Sequence, residues 1–278
     1  MRLFELARWR PAVEIAMWIL TIVVLVLPLV ALLLSSLVPA AGVPLTAKSA
    51  TWSNYDYVLF DHAAAKRAFV NSFSLSATAA IVIVLVAVPL AYFLVWRRSR
   101  LLRVLNLVAE MPYALPGVVL AIAAILVFLK PLPVLGLTLY NTVWIILFGY
   151  LARFLVLGLR PVIGGYYQLD RTLEEAAQIA GARLLRRLAT IILPLVAPMA
   201  TAGALLVFLT AFNELTVSAL LWSSGAETLG VVVFSFQQGG DSTYAAALAM
   251  LTVAVTIALM LSTLLTGKPE RGVLPWRD

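Results

Sequence analysis

The stretch "EEAAQIAGARLLRRLATIILP", Glu174 to Pro194, is an island of charge in a chain that is otherwise mostly apolar. It holds two glutamates, three arginines and one glycine, and it closes on Ile-Ile-Leu-Pro. Before it, residues 131–152 carry no charge; after its last arginine, residues 188–213 carry none either. Each run is long enough to cross the hydrocarbon core as a helix, which takes roughly 20 apolar residues. The island therefore reads as a polar loop held between two membrane spans.

The same measure, applied outward, finds uncharged runs at 15–47, 68–96, 111–129 and 242–267. Six spans follow, near 13–38, 70–96, 106–129, 138–160, 195–222 and 243–266, and the expected fold is an all-α polytopic bundle. Strands of a membrane barrel would alternate in and out over about 10 residues, and these runs do not alternate. A composition of 63% hydrophobic and 12% charged residues excludes an ordinary soluble domain. The first run follows the basic start "MRLFELARWR" and is far longer than the roughly 7–15 residues of a signal-peptide core. It reads as a retained span, although a cleavage-like "VPAAG" follows it. With no cysteine and a single histidine, His62, thiolate and zinc sites are excluded.

Six spans put both termini on one side. That side would hold fifteen of the Lys and Arg residues: Arg2, Arg8, Arg10, then the Arg97–Arg103 cluster, then Arg160 to Arg187, then Lys268, Arg271 and Arg277. The other side holds Lys48, Lys66, Arg67 and Lys130. The positive-inside rule makes the first side cytoplasmic, and the net charge of +7 needs no nucleic acid to explain it. The island is then the longest cytoplasmic loop.

Within it, Thr172 and Glu175 have the spacing of a capping box, so a helix should begin near Leu173. Glu174 and Glu175 fall in its first turn, where the dipole favours negative charge. Leu173, Ala176, Ala177, Ala180 and Leu184 share one face at helical spacing. Gly181 allows a sharp bend, a second basic segment, Arg183 to Arg187, follows it, and Pro194 suits the opening of the next span. Two readings stand side by side: an amphipathic helix on lipid headgroups, or a docking helix whose small face admits another protein.

The loop resembles the EAA loop of binding-protein-dependent ABC importer permeases. That family pattern is Glu-Ala-Ala, three residues, Gly, nine residues, Ile, one residue, Leu-Pro. Here Glu175-Ala176-Ala177, Gly181, Ile191 and Leu193-Pro194 stand at every matching position, before the penultimate span. The resemblance, which covers about 68–266, implies a type I importer permease fold and a cytoplasmic coupling helix that seats in a cleft of an ATPase subunit. Glu174, Glu175, Ala176, Ala177, Gly181 and Arg183 are the expected coupling residues. It divides the chain into an N-terminal span and periplasmic loop (1–67), a permease core (68–266) with its coupling loop at about 167–194, and a cytoplasmic tail (267–278). It also implies two ATPase subunits carrying ATP and magnesium, a second permease, identical or homologous, and a periplasmic solute-binding protein, in the inner membrane. This chain should bind no cofactor itself, because it lacks the phosphate-binding pattern G-x-x-x-x-G-K-S/T.

Several residues carry competing readings. Asn213 and Glu214, in "FLTAFNELTVSALLW", fall about 28 Å along span five at the usual rise per residue. They either line the outward-facing substrate cavity or gate, or cap a helix end. Arg153 either snorkels from span four to the headgroups or makes a contact inside the bundle. Glu110 is expected to cap the start of span three. Pro112 and Pro116 should kink the entry to that span, where Pro116 would border the pathway, and Gly117 permits close packing. Residues 223–243 form an outer re-entrant helix or lid. The 40–69 loop meets the binding protein or solvent, and its aromatic residues anchor at the interface. There is no internal repeat, metal cluster or nucleophile–base pair, so no enzyme active site is expected. The segment "FNELTVSALLWSSGAETLGVVVFSFQQGGD" looks most like permeases for ferric iron, with polyamine, thiamine and phosphonate permeases as alternatives. Rival classes are an ion-gradient secondary transporter, which would need more intramembrane acidic groups, and a membrane scaffold.

Overall fold

The computed structural model describes residues 9–97, 100–131, 136 and 138–266. Arg2, Arg8, Arg98, Lys268, Arg271, Arg277 and the tail 267–278 lie outside the described residues. Among the described residues twelve α-helices follow one another: α1 (Arg10–Ser36), α2 (Ser53–Asp56), α3 (Ala63–Tyr92), α4 (Arg100–Ala114), α5 (Gly117–Phe128), α6 (Val143–Gln168), α7 (Thr172–Ile179), α8 (Leu184–Arg187), α9 (Leu193–Phe212), α10 (Ser218–Leu221), α11 (Leu229–Gly239) and α12 (Ser242–Thr266). Wider π turns follow α2 (Tyr57–Asp61), α3 (Phe93–Arg97) and α8 (Leu188–Ile192). Among the described residues, five helical stretches are long and apolar enough to span a membrane, and α4 with α5 makes a sixth if the bent pair counts as one span.

The boundaries differ from the sequence expectation in three places. Span three is broken: α4 and α5 meet at 111° across Leu115 and Pro116. Pro116 takes an extended ψ of 137° at the N-cap of α5, and a residue before proline is driven out of helical geometry. Span four continues to Gln168, through Pro161. Span five starts early and ends early, running from Leu184 through the π turn to Phe212. It stops at Asn213 rather than continuing to Trp222.

The chain forms two compact units. One comprises the described residues up to Ala63 with Val233–Ala258. Here α1 ends at Ser36, and Asn54, fully buried, donates to the carbonyls of Ser36 at 2.8 Å and Val38 at 2.7 Å. That bond satisfies carbonyls the helix end would orphan. The rings of Tyr57, His62, Phe236 and Tyr244 pack with centroids 4.5–5.8 Å apart.

The other unit is Ala64–Val232 with the described residues from Leu259 on. Its spine is the crossing of α6 and α9. At Gly203 an added Cβ would lie 2.8 Å from the Gly158 carbonyl oxygen, so these backbones approach as closely as small residues permit. One apolar cluster joins Leu75, Ala79 and Ile83 of α3 to Leu120 and Ala124 of α5, Ile145 and Phe154 of α6, and Val207 of α9. A second joins Ala87, Val88 and Tyr92 of α3 to Leu159, Val162 and Tyr166 of α6 and Ile192, Val196 and Ala200. This second cluster lies where the 169–192 loop is attached.

Candidate functional site

The loop after α6 builds its first turn on Asp170, not on Thr172. Asp170 Oδ1 accepts the Thr172 N–H at 2.9 Å, which makes Thr172 the first helical residue and leaves the expected Thr172/Glu175 box unformed. The same hydrogen bonds from Thr172 hold the Asp170 carboxyl below its ordinary pKa. Glu175 is half exposed and pairs along its own helix with Arg171 at 3.2 Å.

At the other end, α7 stops on Gly181, whose φ of +77° is the left-handed conformation that glycine adopts without penalty. The Ala182 N–H reaches the Ala177 carbonyl at 3.0 Å and the Gly181 N–H reaches Gln178 at 2.9 Å, the paired bonds of a Schellman stop. The chain then reverses through Ala182 and Arg183 into α8. Among the expected coupling residues, Ala176, Gly181 and Arg183 are exposed and Ala177 is half-buried.

Glu174 is unlike its neighbour. It is only 3% exposed. Its Oε1 accepts from Tyr92 Oη at 2.9 Å and Gln178 Nε2 at 2.5 Å, and pairs with Arg187 Nη1 at 3.1 Å. Arg187 is 7% exposed, and its Nε has no hydrogen-bond partner. Tyr92 lies edge-on to Trp96, and Trp96 edge-on to Tyr166, whose hydroxyl donates to the Val88 carbonyl at 2.9 Å. Sequence reasoning named Glu174 as a coupling residue and Arg187 only as part of a basic segment, and it did not single out Gln178 or Tyr92. Tyr92 is 82 residues from its partner, and no local pattern could signal the contact.

Two large apolar residues of the loop are bare: Ile179, at the end of α7, is 89% exposed and Leu185, on α8, is 80% exposed.

A second polar assembly surrounds the break after α9. Glu214 is buried and caps α10: Oε1 accepts from the Val217 N–H at 2.7 Å and Thr216 Oγ1 at 2.7 Å, and Oε2 accepts from the Ser218 N–H at 3.0 Å. Asn213, exposed, donates back to the Leu209 carbonyl. Three glycines cradle this loop, because a Cβ on any of them would strike it. Gly117 faces Thr216, Gly149 faces Val217, and Gly230 faces the Glu214 carbonyl and Leu215. The helix break at Pro116 thus meets the break at Asn213–Glu214.

Arg153 does not snorkel. Its Nη1 is buried against Gly117, without a hydrogen-bond partner. The room left by a missing Cβ draws the guanidinium inward. Glu110 caps nothing, because α4 begins ten residues before it; its carboxylate instead takes Arg160 Nη2 at 2.8 Å and Asn106 Nδ2 at 2.8 Å.

Residues 222–228 form a clasp on the start of α3. Arg67 holds both Glu227 oxygens, at 3.0 and 3.2 Å, and Asn71 donates to the Gly225 and Glu227 carbonyls. The Arg67 hydrogen bonds pull the Glu227 carboxyl down to about 2.

Known proteins resemble this arrangement. Residues 83–267 match the family described as binding-protein-dependent transport system inner membrane component. A probable ABC transporter permease protein of Sinorhizobium fredii is 31% identical over 87% of this chain and 43% of its own length. An Fe(3+)-transport system permease protein of Haemophilus influenzae is 30% identical over 65% of this chain and 34% of its own. The chain therefore spans less than half the length of these two relatives. Among solved structures, a chain of the bacterial alginate ABC transporter, in complex with its alginate pentasaccharide-bound periplasmic protein, superposes with a TM-score of 0.71. The superposition covers 92% of this chain and 93% of that one at 15% identity, a likeness of fold alone. The family match covers all three segments described above, the 169–192 loop, the break at Asn213–Glu214 and the 222–228 clasp, and the chain belongs to the family of binding-protein-dependent transport system inner membrane components.

Proposed function

We propose that the chain is the permease subunit of an ATP-driven importer and forms half of a translocation pathway that works by alternating access. The observation that carries this reading is the two-sidedness of α7 and its following turn. Glu174 ties α7 into the bundle, while Ile179, at the end of the same helix and outside the spans, is left bare. A large apolar side chain left bare at the end of a helix outside the spans fits a protein partner. On this reading the loop faces the cytoplasm, as the positive charges require, and each of two ATPase subunits receives such a helix from one of two permeases. ATP and magnesium belong to those subunits, and a periplasmic binding protein delivers the solute.

The core 68–266 carries the pathway, with the loop at about 167–194 as its handle. Pro116, Asn213 and Glu214 belong to the pathway wall, because the two helix breaks they mark meet at Gly117 and Thr216. Ferric iron is the proposed solute, supported by the similarity to an Fe(3+)-transport permease. The test is uptake of radiolabelled ferric iron into vesicles holding the co-purified complex, with polyamine, thiamine and phosphonate as competitors. Glu175→Lys should insert normally and abolish uptake. Undiminished uptake by that variant would remove the handle from the mechanism.

A further inference from the structure

Glu174 and Glu175 are neighbours in sequence and opposites in environment. Glu175 is 56% exposed by its side chain and is bonded only within its own helix. Glu174 is buried and ties three elements together: α7 by its own backbone, α3 through Tyr92, and α8 through Arg187. From α8 the helix runs without interruption to Phe212, so Arg187 stands at the root of the span that crosses α6 at Gly203. From Tyr92 the ring chain continues through Trp96 to Tyr166 on α6.

A buried ion pair is a poor device for stability alone. Desolvation of both ions consumes much of the attraction, and apolar groups of like volume hold as well. Here the pair also leaves Arg187 Nε buried and unsatisfied, which lowers its worth further. What the pair does supply is direction. An ion pair at 3.1 Å and a tyrosine hydrogen bond at 2.9 Å, both on Glu174 Oε1, fix the orientation of α7 on α3 and α8 in a way that sliding apolar surfaces do not. Removing either charge strands the other in a low-dielectric site, so the joint does not slip under load.

We propose that Glu174, Arg187 and Tyr92 form the joint that transmits displacement of α7 to α3 and α9, with Glu174 serving the permease interior and the exposed face of the loop serving the partner. All three are positioning residues. The proposal rests on the ATPase-docking reading above, and the experiment separates the two.

The chain has no native cysteine, so Leu85→Cys on α3 and Leu206→Cys on α9, both exposed, can be spin-labelled in the otherwise unaltered complex with its co-purifying ATPase. The interspin distance is read with and without ATP and vanadate, alongside ATPase co-purification and hydrolysis. The unsubstituted joint should give an ATP-dependent distance change. Tyr92→Phe and Glu174→Gln should keep the ATPase bound and hydrolysing while the change is reduced, most in Glu174→Gln. The double exchange Glu174→Arg with Arg187→Glu should recover part of it. Tyr92→Phe keeps the ring packing and removes only one hydrogen bond, so it decides the matter if the charge variants fail to fold. An undiminished distance change in Tyr92→Phe and Glu174→Gln overturns the joint. So does parallel loss of ATPase binding, hydrolysis and distance change, which marks a structural role only. If the unsubstituted chain binds no ATPase, the docking reading falls first, and the joint with it.

Discussion

Gly203→Ala should force α6 and α9 apart. The new Cβ would lie 2.8 Å from the Gly158 carbonyl oxygen and 3.2 Å from its Cα. Both are backbone atoms of the facing helix and cannot rotate aside, so the helices must separate along the whole crossing. Inserting one methyl into a packed interior costs about 1–3 kcal/mol. Alanine also improves helix propensity by roughly 1 kcal/mol over glycine, which would mask part of the loss. Gly164, on α6, supplies the correction: a Cβ there meets nothing within 4 Å. Gly164→Ala collects the propensity gain without the clash, and the difference between the two variants is the steric cost alone. For a chain of this size, each kcal/mol moves the melting temperature by roughly 2–4 °C. Gly203→Ala should therefore melt below Gly164→Ala by about 2–12 °C, read from tryptophan fluorescence in mild detergent. Equal melting of the two variants would refute the close backbone crossing and the packing built on it.

The Arg67–Glu227 clasp makes stability depend on pH in a stated direction. Glu227 has a folded pKa depressed to about 2 from an ordinary 4.5, so its contribution is complete above the ordinary value and is lost as pH falls towards about 2. Thermal melts of the parent chain should decline across that interval more steeply than those of Glu227→Gln, which has no carboxyl to protonate. At Gly181, where φ is +77° and a Cβ would have open space, only the backbone resists substitution. Gly181→Ala should weaken ATPase binding about 5–30-fold, from a left-handed penalty of about 1–2 kcal/mol, and Gly181→Asn should weaken it less. Titration of purified ATPase against the two variants measures both.

The spans were legible because length and absence of charge suffice to mark them, as in 68–96 and 242–267. The stop at Gly181 was legible because a glycine after an amphipathic helix has few other uses. The break at Pro116 was legible as a kink, but its 111° angle was not. The early end of α9 was hidden, since Leu215, Val217, Ala219 and Leu220 continue the apolar run and only Glu214 interrupts it. That glutamate ends the span by capping α10. Its neighbours then fit against Gly117, Gly149 and Gly230, on three distant helices. The inward turn of Arg153 depends on the same missing Cβ at Gly117. The different duties of Glu174 and Glu175 were illegible for a related reason. Both satisfy the dipole of α7, and only the positions of Tyr92 and Arg187 separate them. Pairs such as Arg67 with Glu227, 160 residues apart, leave no local trace.

The account turns on whether the bare side of the α7–α8 loop is covered by an ATPase. A photo-cross-linking residue at Ile179, 89% exposed, tests this in intact membranes, with the same residue at Leu126, 70% exposed on α5 within the broken span, as the control. The account predicts a light-dependent adduct between position 179 and a nucleotide-hydrolysing subunit, and none from position 126. Adducts of position 179 with lipid alone would contradict it.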